Sequence, residues 1–258
     1  MTLMALNPPG QYANDTSLRA RQRLWRCRVP AFDTVGWVLD QAGLVPGMRV
    51  LDAGCGNGLY LPALRQRQVT AVGCDLSPGM LAAVTHPALI AADLTALPVR
   101  DHTFDVVLAA QVLDLVPDRR TAIGELRRVL APGGACVVVA TGTQHLRSLR
   151  AVAEKAARTP GWRMHPPTGS AFTLENAASQ LAAAFPDLTC VRLPASAVVT
   201  TDASIASDYV TSLSGYYQDQ ISRPWHEVAS DVRDQVQAII DTSGEFRTVG
   251  DLAAIICR

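Results

Sequence analysis

Residues 49–58, Arg-Val-Leu-Asp-Ala-Gly-Cys-Gly-Asn-Gly, set three glycines at alternate positions (Gly54, Gly56, Gly58) just after the apolar pair Val50-Leu51. Pro46-Gly47 marks a turn before this stretch, and an amphipathic segment, 59–64, follows it. That order predicts a buried strand, a glycine loop and a helix. Glycines let the chain turn sharply and let a ligand lie against bare main chain. The following helix aims its N–H groups and the positive end of its dipole at such a ligand. The spacing is G-x-G-x-G, whereas a dinucleotide fingerprint needs G-x-G-x-x-G. Asp52 stands two residues before the first glycine. A carboxylate there repels a pyrophosphate and suits a ligand that carries a cationic group.

From residue 49 onward the pattern alternates. Strands are expected at 49–53, 70–74, 88–91, 104–110 and 135–140, with helices at about 57–66, 78–85 and 118–130. Apolar strands alternating with helices argue for a parallel sheet covered on both faces. Pro132-Gly133-Gly134 is a stop and turn before the fifth strand. Upstream, residues 1–13 are expected to be mobile. A helix capped by Asp15 or Thr16 should run to Val29, with Leu18, Trp25 and Val29 on one face, and Pro30 should break it. A second helix at about 31–43 should bury Val35, Val38 and Leu39. Downstream come a helix at 144–156, a Pro/Gly-rich loop at 159–170 and a helix capped by Thr173. A strand near 188–199, helices at 203–214 and 224–241 and a closing strand at 251–257 complete the chain.

The chain has 258 residues, 48% of them hydrophobic, which suits a single domain with a large core. Basic and acidic residues balance at 23 each, which argues against a nucleic-acid partner. The one basic cluster, Arg19, Arg21, Arg23, Arg26 and Arg28, reads as the solvated face of a helix, with a ligand or phosphate contact as the alternative. Six scattered cysteines form no C-x-x-C pair and read as small buried thiols, notably Cys55, Cys74, Cys136 and Cys257. No signal peptide and no run of 18 apolar residues is found, so a cytoplasmic protein without a membrane partner is expected.

The motifs VLDAGCGNG (50–58), AVGCDLSPGML (71–81), AADL (91–94), FDVVLAAQVL (104–113) and LRRVLAPGG (126–134) together resemble the class I S-adenosylmethionine (SAM) methyltransferases. The likeness is to their small-molecule, type 11/25-like branch. It covers residues 48–140 well and extends through 199. It implies an α/β fold, Rossmann-like, with a seven-stranded mostly parallel sheet of order 3-2-1-4-5-7-6 whose last strand is reversed. On that reading residues 1–258 form one methyltransferase domain. Residues 1–45 make an N-terminal helical lid, 46–200 and 246–258 the SAM-binding core, and 201–245 a helical cap insertion.

The resemblance implies SAM as cofactor, with S-adenosylhomocysteine (SAH) as its product. Asp52 would take the ammonium, and Gly54 and Gly56 would pass close to the methionine and ribose. Asp75 would accept both ribose hydroxyls. Leu76 and Met80 would sandwich the adenine, although Met80 fits core packing equally well. Asp93 would accept from the adenine amino group, and Leu94 would offer its N–H and an apolar wall. Gln111 would touch the methionine moiety or the acceptor, and Tyr12 would close over the cofactor. Family members often carry a histidine in the turn after the fourth strand, where this chain has Leu113-Asp114-Leu115.

The expected reaction is in-line attack on the SAM methyl by an O or N nucleophile of a small molecule, with carbon allowed, in specialised metabolism. His145, just past the fifth strand, is the first choice of general base, and a capping histidine is the competing reading. His165 and His226 are weaker choices. Trp25, Tyr209, Tyr216, Tyr217 and Trp225 line an aromatic acceptor pocket or pack a core; periodicity fits both. The turn after the fifth strand, 140–143, lacks the Asp-Asn pair of metal-dependent relatives, so no metal is expected. A monomer or homodimer is expected. The rival readings are a methyltransferase for RNA or protein, a SAM-binding protein without methyl transfer, and, on glycine spacing alone, an NAD-dependent dehydrogenase.

Overall fold

The computed structural model describes residues 10–164, 172–194 and 196–258. In chain order the elements are α1 (Thr16–Trp25), β1 (Arg28–Val29), α2 (Thr34–Gln41), β2 (Arg49–Ala53), α3 (Leu61–Gln66), β3 (Thr70–Asp75) and α4 (Pro78–Leu81). Then come β4 (Leu89–Ala91), β5 (Phe104–Ala110), α5 (Arg119–Val129), β6 (Leu130–Thr141), α6 (Arg147–Ala157) and α7 (Leu174–Leu181). The last are β7 (Leu188–Arg192), β8 (Ser196–Thr200), α8 (Ala203–Thr211), α9 (Ser214–Tyr217), α10 (Trp225–Ser243), β9 (Phe246–Gly250) and β10 (Leu252–Cys257). Among the described helices none is long and apolar enough to cross a membrane.

Seven strands form one sheet in the order β4-β3-β2-β5-β6-β10-β7. β2 to β6 pair in parallel, and β10 runs antiparallel to both of its neighbours. Counted from β2 within this sheet, the order is 3-2-1-4-5-7-6 with the last strand reversed, as expected. Alternation along the strands fills both faces. Leu51, Val107, Cys136 and Val138 pack with α5 and Phe185 on one side, and Val50, Val106, Leu108 and Val137 pack with Val38 and Leu64 on the other. The chain leaves β2 for β3 on one side and reaches β5 on the other. A crevice therefore opens between their carboxyl ends, the usual ligand position in such sheets.

Three expectations about the elements are corrected. The stretch 188–199 is two strands: β7 stays in the main sheet, Leu193-Pro194 interrupts it, and β8 joins a separate antiparallel sheet, β1-β8-β9. A proline cannot donate to a ladder, which makes it a natural place to leave one sheet for another. The first helix stops at Trp25, because Arg28 and Val29 pair with Val198 and Ala197. Residues 1–9 lie outside the described part, but 10–13 are pinned. The Tyr12 carbonyl accepts from Ser77 Oγ at 2.6 Å, and Ala13 O lies where a Cβ on Gly79 would sit.

α6, α8 and α10, with Leu24 of α1 and Phe246 of β9, bury a second apolar cluster that includes Trp162, Val210, Trp225, Val228 and Val236. This layer stands over the carboxyl edge of the sheet and roofs the crevice.

Candidate active site

A cavity of about 660 Å³ occupies that crevice. The end of β2 and the glycine loop form one wall. Gly54, Gly56 and Gly58 all have positive φ, and the need is greatest at Gly54. There φ is +76° and a Cβ would lie 2.3 Å from Val112 Cγ2. Asp52 is buried at 1% exposure, and its Oδ2 has no hydrogen-bond partner. Burial, and then the charge of Asp75, push its carboxyl up to about 7. Asp75 ends β3. Its Oδ2 accepts from Gly56 N–H at 2.8 Å and its Oδ1 from Ser77 N–H at 2.9 Å. Burial raises its pKa, and these two N–H groups oppose the shift.

Every described residue proposed from sequence for cofactor contact lines this cavity: Tyr12, Asp52, Gly54, Gly56, Asp75, Leu76, Met80, Asp93, Leu94 and Gln111. Leu76 is open to solvent at 56%, while Met80 and Leu94 are buried. Asp93 Oδ1 already accepts from the Thr95 N–H and hydroxyl, both at 2.8 Å, an Asx turn that fixes its carboxylate. Gln111 follows β5 in a left-handed conformation, φ +54°, with its N–H given to Val139 O.

The second half of the cavity lies toward β6 and the helical layer. Trp25, Tyr209, Tyr216, Tyr217 and His145 line it, as expected. Trp225 does not. It is buried behind Tyr217, stacked on it at 5.7 Å, and its Nε1 donates to Val210 O at 2.8 Å. Its helical spacing reflected core packing. His226 is exposed on α10 and outside the lining, and His165 lies outside the described residues.

His145 is 5% exposed, and its Nδ1 accepts the Asp251 N–H at 3.2 Å. A backbone N–H can only donate, so the neutral ring carries its own proton on Nε2.

Three charged residues escaped the reading of the sequence. Arg21 is buried and uses a donor of each nitrogen: Nη1 donates to Tyr12 Oη at 2.7 Å, Nε to Ser212 Oγ at 3.1 Å and Nη2 to Ser212 O at 2.9 Å. Its guanidinium also lies over the rings of Tyr12 and Tyr216. The basic cluster is therefore not one solvated face, because Arg28 is buried too and donates to Ser196 Oγ at 2.6 Å. A signal was present: Arg21 shares helical spacing with Leu18 and Trp25, the apolar face. Asp114, in the short turn after β5, lines the cavity with an exposed side chain, and the protein atoms crowded around it push its carboxyl up to about 6. Arg150 of α6 is the third.

A mostly parallel sheet with a carboxylate-flanked glycine loop at its switch point is a nucleoside-binding arrangement of the Rossmann-like kind. The comparisons agree. The methyltransferase domain family matches residues 51–138. A demethylmenaquinone methyltransferase of Renibacterium salmoninarum is 31% identical over 169 residues, 59% of this chain and 68% of that protein. A malonyl-[acyl-carrier protein] O-methyltransferase of Halorhodospira halophila is 38% identical over 111 residues, 40% of this chain and 38% of that protein. Phosphoethanolamine N-methyltransferase 2 of Haemonchus contortus, solved with S-adenosyl-L-methionine, superposes with a TM-score of 0.56 at 16% identity over 96% of this chain and 58% of that one. The chain belongs to the class I SAM-dependent methyltransferases.

Proposed function

We propose that this protein transfers the methyl group of SAM to a small organic molecule, with an oxygen or nitrogen acceptor favoured, in the making of a specialised metabolite. The observation that carries the reading is the buried, unpartnered Oδ2 of Asp52 beside Asp75 in a cavity that continues into an aromatic chamber. Buried polar atoms are nearly always paired, and an orphan carboxylate oxygen calls for a cation. The residues present fit the cofactor: Asp52 for the ammonium, Asp75 for the ribose hydroxyls, Asp93 and Leu94 for the adenine edge, Leu76 and Met80 for its faces. Gln111 takes the methionine portion. Bound SAM supplies a methyl group already activated on a sulfonium.

The chain's own part is to align, to exclude water and to manage a proton. Tyr12 bridges the two sides of the crevice. Its carbonyl is held by Ser77, and its hydroxyl receives Arg21 and, at 3.0 Å, Tyr216. We assign the acceptor's proton to Asp114, whose carboxyl is raised to about 6, and keep His145, on the same lining, as the second candidate base. In a methyl-transfer assay with labelled SAM, Asp114→Asn should lower turnover at least about tenfold while leaving SAH affinity unchanged. Unaltered turnover would remove Asp114 from the mechanism.

The function is tested by calorimetry with SAH and NAD: SAH binds and NAD does not. The reverse would overturn the reading. The pH dependence is specific. Asp52 is protonated in the free protein below about 7, and an ammonium prefers the carboxylate. SAH affinity should therefore fall as pH drops from 8 to 5.5, approaching about tenfold per unit. Stability runs the other way. Between the ordinary carboxylate range and about 7 the folded free protein holds a proton that the unfolded chain has released. The contribution of Asp52 to stability is therefore greatest at the acid end of that window and is lost as pH rises through 7. The difference in melting temperature between wild type and Asp52→Asn should change in that direction, and SAH binding by the variant should lose its pH slope.

A further inference from the structure

We infer that the methyl acceptor is an aromatic acid and that its single carboxylate is taken by Arg150. The inference rests on the cavity being a methyl-transfer site. Arg150 stands near the start of α6 and lines the acceptor half. Its Nη2 donates to the Thr143 carbonyl, but its Nε is buried without a partner, and no carboxylate of the described residues pairs with it. Glu154, one turn on along the same helix, is occupied: it faces Arg163 and accepts the Met164 N–H at 3.1 Å. Burial lowers the pKa of Arg150, and the nearby charge of Glu154 offsets this only in part. Arg21, the other guanidinium of the cavity, has given all three nitrogens to Tyr12 and Ser212. Arg150, bonded through Nη2 alone among the described residues, keeps more donors free than Arg21. A guanidinium fork matches a carboxylate, and a half-buried guanidinium that pairs with no carboxylate directly favours the arrival of an anion.

Position separates this anion from the cofactor. α6 follows β6, which is two strands from β2 and three from β3 in the sheet. At the usual strand spacing β6 itself lies roughly 10 Å from β2 and farther from β3, which ends in Asp75. Around Arg150 the walls are aromatic. Tyr209 and Tyr217 stand near it, and Trp25 and Phe172 line the same cavity. Flat rings pack well against such walls. With Arg21 already bonded to Tyr12 and Ser212 and Asp114 on the same lining, the site suits one negative charge better than the two of a phosphate.

The test is calorimetry on SAH-loaded protein at pH 7.5, with a panel of hydroxybenzoates and the matching neutral hydroxybenzamides. At least one acid should bind at least about tenfold more tightly than its amide. Arg150→Met should abolish that preference, Arg150→Lys should keep part of it, and SAH affinity should be unaltered in both. Equal binding of acid and amide by the wild type, or binding of no acid, overturns the inference without any variant. A matching loss of SAH affinity in Arg150→Met also overturns it, because the guanidinium would then serve the carboxylate of the cofactor itself. Failure of the wild type to bind SAH would show before any acid is added and would sink the methyl-transfer reading first.

Discussion

Replacing Asp75 by alanine should weaken SAH binding at least about 100-fold, or about 3 kcal/mol, the worth of two charge-assisted hydrogen bonds. The carboxylate has two tasks in one place. It accepts from Gly56 and Ser77 N–H, which fixes the glycine loop against the start of α4, and it keeps lone pairs for a ligand's hydroxyls. Asp75→Asn is the informative companion. Its amide oxygen can replace one acceptor but not both, so one of the two N–H bonds is lost and recovery should be partial. Calorimetry decides, and an affinity within threefold of wild type for Asp75→Ala would mean that the nucleoside lies elsewhere.

The second large effect is expected from Gly54→Ala. A left-handed alanine costs about 1–2 kcal/mol, and the new methyl would collide with Val112, whose Cγ2 and Cβ lie 2.3 and 2.7 Å from its position. Together these should remove about 3 kcal/mol of stability in chemical denaturation and leave no measurable SAH binding, since the displaced loop carries the cofactor wall. Adding Val112→Gly removes the obstructing side chain. It should recover the part due to collision and not the part due to backbone conformation. A single variant as stable as wild type would show that the loop yields freely.

How far the sequence could be read follows from how local each determinant is. The glycine loop, Asp52 and Asp75 sit at strand ends within one βαβ unit, so a short window contains both the structure and its reason. The strand order followed from the family pattern. Arg21 depends on Ser212, 191 residues away, and nothing near Arg21 names that partner. The pairing of β1 with β8 is likewise non-local and overrode a helical pattern that ran to Val29. Tyr217 and Trp225 share one apolar cluster, yet only the first reaches the cavity. Periodicity identifies the buried face of a helix but not whether core or ligand lies against it. His145 shows a finer limit. Its position after β6 was legible, but the hydrogen bond that sets its tautomer comes from Asp251 at the far end of the chain.

Gln22 of α1 and Asn57 of the glycine loop exchange side-chain amide hydrogen bonds, at 2.9 and 3.1 Å. The consequence is for anyone who wants to retarget the enzyme by swapping its N-terminal segment for that of a relative. Such a graft carries off the brace of the nucleoside loop together with the specificity it was meant to change. A workable chimera therefore keeps Gln22, or brings its own partner for Asn57.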